Sequence, residues 1–185
     1  MSYQIAQPLF FALSVPAQVE TAAGQVQDEV RRSIGSPRLP DLDDLHVSLA
    51  YMGRLDFSIV PVLLALAEVT AARHPRFTLR AAGLGGFPRM GSARVLWLGF
   101  TPEPALDALV ADLWAALGAA HIGFDGKPFH PHMTLARFRE PVALERVALS
   151  EPEPVGFEVR EFGLFQSVQA PGGNHYRLLG SVPLA

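Results

Sequence analysis

The chain has 185 residues, 49% of them apolar, and a formal net charge of −3, which suits one domain, or two small lobes sharing a core. With no cysteine and no run of 18 or more apolar residues, disulfides, Cys-ligated zinc, thiol nucleophiles and a membrane-spanning helix are excluded. The negative balance also argues against nonspecific coating of long nucleic acid, although 14 arginines against a single lysine, Lys127, leave room for a site gripping one phosphate end.

The N-terminal MSYQIAQPLFF lacks a basic region and a long apolar stretch, so no secretory signal is read there and a cytoplasmic protein is expected. A strand, PLFFALSVP, ends at Pro16, and a helix is predicted over Ala17–Ser33. The run GSPRLPDLDD, 35–44, reads as a connecting loop before the strand HVSLAYMG. A second helix is predicted over about Ile59–Arg73, then a strand RFTLRAAGLGGF whose glycine-rich end, 83–91, reads as a mobile hairpin. The strand RVLWLGF precedes Pro102, and a third helix over Glu103–Ala119 carries Leu106, Leu109, Leu113 and Leu117 at helical spacing. FHPHMTLARF follows at 129–138, then a short helical stretch over Val142–Leu149 and a Pro-rich loop SEPEPVG. Two strand-like runs, GFEVREFGLFQS and HYRLLGSV, close the chain.

Two of the six histidines stand in matching settings, HVSLA from His46 and HMTLA from His132, an offset of 132 − 46 = 86 residues. At that offset Pro16 overlies Pro102, each 30 residues before its histidine; further downstream, RFTLRAAGLGGF from Arg76 echoes GFEVREFGLFQS from Gly156. The expected fold is therefore α+β and bilobal: a pseudo-two-fold duplication within one domain spanning 1–185. It would have two mainly antiparallel sheets, outer helices and a central cleft carrying the two histidine strands.

On a strand, His46 and Ser48 share one face, as do His132 and Thr134, while Val47, Leu49, Met133 and Leu135 pack behind. Ala50 and Ala136 then fall on the forward face, small enough to leave room for a ligand. If the two faces meet, one imidazole can deprotonate water while the other protonates a departing oxygen at phosphorus. The hydroxyls can donate to the non-bridging oxygens as charge builds. No metal or other cofactor is required by this chemistry. Ten Ser and five Thr among 185 residues make a hydroxyl two places after any one histidine roughly a one-in-twelve event, so the matched pair is the specific signal.

Blander readings stand beside it. His46 could be a strand-start histidine bonded to a carboxylate, and His130 with His132 could form an H-x-H metal chelate joined by His46. His74, His121 and His175 read as surface residues, and the DLDD cluster with Asp41, Asp43 and Asp44 reads as a solvated turn lacking cation-loop spacing. The glycines of 83–91 precede no helix N-terminus and make no dinucleotide fingerprint.

HVSL and HMTL resemble the paired H-x-[ST]-x motifs of the 2H phosphoesterase superfamily. FHPHMTLARF is similar in particular to the bacterial and archaeal RNA 2′,3′-cyclic phosphodiesterases, once described as 2′-5′ RNA ligases. The similarity extends to LFFALSVP and to GLFQSVQAPGGNHYRLLG, nearly the whole chain. It implies a bilobal fold and metal-independent hydrolysis of terminal 2′,3′-cyclic phosphate to 2′-phosphate, with weak reversible 2′-5′ ligation beside it. Its expected partners are RNA 3′ ends bearing cyclic phosphate, or small cyclic nucleotides, handled by a monomer. Carried onto this chain, His46 is the proton donor to the 3′ oxygen and His132 the proton acceptor that activates water. Ser48 stands where Thr is more usual. Tyr51 would stack on the terminal base and Arg137 contact phosphate, although strict alternation puts both on the rear face unless the strands bulge. Phe11 could form a second stacking wall or belong to the core. Two alternatives remain at this point: another cyclic phosphate or 2′-5′ linked oligonucleotide as substrate, and a non-catalytic nucleotide-binding module.

Overall fold

The computed structural model describes residues 6–170 and 173–185. Its elements run β1 (Gln7–Ser14), α1 (Ala17–Ser33), β2 (His46–Leu55), α2 (Val60–Ala71), β3 (Phe77–Phe87), β4 (Ala93–Phe100), α3 (Pro104–Ala119), β5 (His132–Val142), β6 (Val155–Val159), β7 (Glu161–Ala170) and β8 (Gly173–Pro183). They form two four-stranded sheets, ordered β2-β1-β7-β8 and β5-β4-β3-β6, with antiparallel pairing along both. The two histidine strands, β2 and β5, each lie at a sheet edge, beside β1 and β4 respectively.

The helices form where apolar residues recur at helical spacing. In α1 these are Val19, Ala23, Val26 and Val30, all buried; Arg31 and Arg32 in its last turn oppose the helix dipole. In α3 the stripe is Leu106, Leu109, Val110, Leu113 and Leu117. Glu103, expected as its first residue, is instead its N-cap, accepting from the Ala105 amide at 3.1 Å ahead of Pro104. The second helix begins one residue later than expected because Asp56 caps a 3-10 turn, Phe57–Ile59, in front of it. The short stretch after β5 holds a single 3-10 turn, Leu144–Arg146.

The glycine-rich segment is not a free hairpin. Gly83 (φ +77°), Gly85 and Gly86 lie inside β3. A Cβ on Gly85 would sit 2.1 Å from the Trp97 indole of β4, so the ring can lie flat on the neighbouring strand only because no side chain is there.

The two halves interlock. Helix α1, which follows β1 of the first sheet, packs against β5 of the second, and α3, which follows β4, packs against β2. Side chains tie these crossings. Gln27 of α1, 5% exposed, donates to Leu135 O at 3.1 Å, and Trp114 of α3 donates to Leu49 O at 2.8 Å. Leu49 and Leu135 are themselves 86 positions apart. One hydrophobic cluster, including Leu13, Val47, Leu63, Leu96, Leu109 and Met133, runs through both halves.

Candidate active site

Those two leucines explain where the histidine strands point. Along β2 the register passes from Ser48 opposite Ala12 to Ala50 opposite Phe11, leaving Leu49 unpaired. Along β5 it passes from Thr134 opposite Trp97 to Ala136 opposite Leu96, leaving Leu135 unpaired. Each strand thus carries a bulge at the same place, and the extra residue reverses the alternation beyond it. The freed carbonyls of the bulges are the ones that Trp114 and Gln27 satisfy.

The consequence is a correction and a rescue. Ala50 and Ala136, expected on the forward face, are buried at 2% and 0% exposure. Tyr51 and Arg137, which strict alternation put at the rear, turn into a cleft of about 630 Å³ shared with His46, Ser48, His132 and Thr134. Phe11 is the residue the cleft does not receive. It is fully buried and edge-on to Phe162 at 5.8 Å, because it stands on the core face of β1. Its neighbour Phe10, one position out of phase, lies 5.0 Å from the His46 ring and stacks on Phe165 at 5.5 Å.

Both imidazoles are held the same way. His46 Nδ1 lies 2.8 Å from the carbonyl of Asp44, and His132 Nδ1 lies 2.7 Å from the carbonyl of His130. A carbonyl only accepts, so Nδ1 carries the proton in each neutral ring and Nε2 keeps its lone pair. His46 Nε2 is 3.1 Å from Ser48 Oγ. Tyr176 meets the His46 ring edge-on at 4.7 Å, and Phe87 meets His132 edge-on at 4.9 Å.

Burial pushes the His46 imidazole below the usual histidine range; the Asp44 carbonyl and carboxylate act against this, while His132 and Arg137 add to it. Burial likewise lowers His132, opposed by the His130 carbonyl and reinforced by His130 and Arg137. Both rings are therefore biased toward the neutral form until an anion arrives, and each feels the charge of the cleft.

Asp44 is more than a solvated turn. It is 9% exposed, accepting from the Tyr176 amide at 2.8 Å and from His175 Nδ1 at 2.8 Å. It joins the turn before β2 to β8 while its own carbonyl fixes His46. His175, read as a surface residue, is thus part of the cleft wall. His74, also read as surface, is 9% exposed and bonds Asp112 at 2.9 Å, tying the turn after α2 to α3. His121 is exposed, with φ 55° just past α3. His130 packs on Trp97 at 4.8 Å. The histidine triple weighed as a chelate does not converge: among the described residues, the set of three acidic or imidazole groups whose ligand atoms all come within 4.8 Å of one another is Asp41, Asp44 and His175. Both carboxylates face His175 Nδ1, Asp44 at 2.8 Å and Asp41 at 3.6 Å.

Sequence reasoning missed Phe10, Arg38, Asp44, His175 and Tyr176 as cleft residues. Asp44 carried a signal, since it stands two places before His46 where His130 stands before His132. Arg38 carried none within its loop.

Similar proteins share this arrangement of strands. The chain is 33% identical to an RNA 2′,3′-cyclic phosphodiesterase of Thermus thermophilus over 178 residues, 92% of this chain and 87% of that protein. It is 32% identical to an RNA 2′,3′-cyclic phosphodiesterase of Escherichia coli over 180 residues, 92% of each. Among solved structures, a Thermus thermophilus protein superposes with TM-score 0.79 at 29% identity, covering 96% of this chain and 97% of that one. E. coli LigT complexed with 3′-AMP superposes with TM-score 0.79 at 29% identity, covering 97% and 99%. No helix among the described residues is long and apolar enough to cross a membrane. With residues 15–170 matching the family model of the 2′-5′ RNA ligase superfamily, the chain belongs to that superfamily.

Proposed function

We propose that this protein is an enzyme that hydrolyses the 2′,3′-cyclic phosphate at RNA 3′ ends to a 2′-phosphate, using His46 and His132 as acid and base. The observation that carries the reading is the matched tethering of both rings. Each Nδ1–H is spent on the carbonyl two residues earlier, and both rings open on one cleft.

The steps balance with protein groups and water. His132 Nε2 accepts a proton as water oxygen bonds to phosphorus; the bond from phosphorus to the 3′ oxygen breaks; and protonated His46 gives its Nε2 proton to that oxygen. Ser48 and Thr134 donate to the non-bridging oxygens, and Arg137 faces their charge. Tyr51, 49% exposed on the cleft rim, offers an aromatic face to the terminal base. The anionic substrate favours the charged form of His46, offsetting its burial. With a 5′-hydroxyl attacking phosphorus in place of water, the same pair breaks the bond to the 3′ oxygen and gives weak 2′-5′ ligation, which is reversible because the 3′-hydroxyl can attack back. Every group comes from one chain, so a monomer suffices and no cofactor enters the steps; RNA ends are met in the cytoplasm, where the protein would act. The likeness to proteins named RNA 2′,3′-cyclic phosphodiesterase supports the substrate class.

The test is incubation of an oligonucleotide ending in 2′,3′-cyclic phosphate, with and without EDTA, followed by identification of the product. A 2′-phosphate formed at the same rate in EDTA is expected. A 3′-phosphate would reverse the leaving group, and loss in EDTA restored by zinc would replace the mechanism.

A further inference from the structure

The loop between α1 and β2 is joined to β5 at one point. Arg38 N donates to Arg137 O at 2.9 Å and Arg137 N donates to Arg38 O at 2.8 Å, an isolated antiparallel bridge. Residues exchanging both bonds stand directly opposite, their Cα atoms roughly 5.5 Å apart and their side chains on one face. Both arginines line the cleft. Like charges so placed cost stability, and neither guanidinium has a carboxylate partner among the described residues. The nearby carboxylates of Asp41 and Asp44 are turned to His175.

The pairing is also built, not incidental. Gln27 Nε2 donates to Pro40 O at 2.9 Å and to Leu135 O at 3.1 Å, clamping the loop just after Arg38 to the bulge just before Arg137. On the far side, Arg38 Nη2 lies 3.2 Å from where a Cβ on Gly173 would be, at the start of β8. Burial pushes the Tyr176 phenol up, and Arg137 and Arg38 both act against it, so the two guanidiniums converge on one region of the cleft.

A cyclic phosphodiester carries one negative charge and two non-bridging oxygens, which Ser48, Thr134 and Arg137 already address. A second cation beside them calls for a second anion, and an RNA end brings one a single nucleotide away. We propose that Arg38 binds the phosphate on the 5′ side of the terminal nucleotide, held beside Arg137 by the backbone bridge and Gln27, so that the cleft selects oligonucleotide ends over nucleosides bearing only the cyclic phosphate. This rests on the phosphodiesterase reading above.

The experiment compares kcat/KM for adenosine 2′,3′-cyclic phosphate with that for the same compound carrying a 5′-phosphate, in wild type, R38Q and R38K. Wild type should favour the 5′-phosphorylated compound by roughly tenfold or more, the scale of a charge-assisted hydrogen bond. R38Q should bring that ratio close to one, and R38K should keep part of it without the bidentate fork. The main-chain bridge survives both substitutions, so unchanged thermal unfolding is the folding control. A wild-type ratio near one, or R38Q lowering both substrates in proportion, overturns the inference. Wild type hydrolysing neither compound overturns the phosphodiesterase reading itself.

Discussion

Replacing Asp44 separates its two roles. Its carboxylate takes two hydrogen bonds of 2.8 Å, from the Tyr176 amide and from His175 Nδ1, and bonds to a charged partner contribute about 1.5–3 kcal/mol each. The His175 side chain is 47% exposed, so its bond belongs below that range. Asp44→Ala should therefore destabilise the protein by about 3 kcal/mol, roughly a 6–12 °C fall in Tm for a chain of this size. Asp44→Asn keeps an oxygen for the Tyr176 amide and should lose less. Both variants remove a charge that favours protonated His46. His46 must be protonated to act as donor, so the alkaline limb of the pH–kcat/KM profile should move to lower pH in both. The assay is hydrolysis of a nucleoside 2′,3′-cyclic phosphate across the pH range, with thermal unfolding alongside. An alkaline limb unmoved in Asp44→Asn would refute the electrostatic link between Asp44 and His46.

Because burial lowers both histidines in the free protein, the bell in kcat/KM should centre below the ordinary histidine value of about 6.5. Bound phosphate favours protonated His46, so the alkaline limb of kcat should lie at higher pH than that of kcat/KM; coincident limbs would contradict this. Phe11→Ala should cost about 3–5 kcal/mol in unfolding experiments while leaving KM near its wild-type value, whereas Tyr51→Ala should raise KM with little change in Tm. Gln27→Leu and Trp114→Phe each strip the donor from a bulge carbonyl and should destabilise by about 1–3 kcal/mol. A fully stable Gln27→Leu with unchanged KM would show that the clamp does not set Arg137.

The histidine pair, the helix limits of α1 and the matched halves were legible because each is a local pattern: a short phrase, a 3.6-residue stripe, a proline at a fixed distance. The bulges were not, although a trace existed. Leu49–Ala50 and Leu135–Ala136 are doubled apolar residues in otherwise alternating strands, which is what a shift of face leaves behind. Phe10 and Phe11 could not be told apart, since a two-residue period fixes spacing and not phase; the register with β2 and β7 decides it. The pairing of Asp44 with His175 spans 131 residues, and the interlocking of α1 with β5 is equally non-local. Such contacts come from topology and leave no periodic mark.

The central claim is that two imidazoles divide the proton transfers. Measuring kcat/KM against pH from 5 to 9 for wild type, His46→Ala and His132→Ala tests it most directly. Wild type should give a bell. Each variant should lose at least about 10²-fold in rate, with His46→Ala losing the alkaline limb and His132→Ala the acidic one. A flat wild-type profile, or a variant that keeps both limbs and full rate, would contradict it.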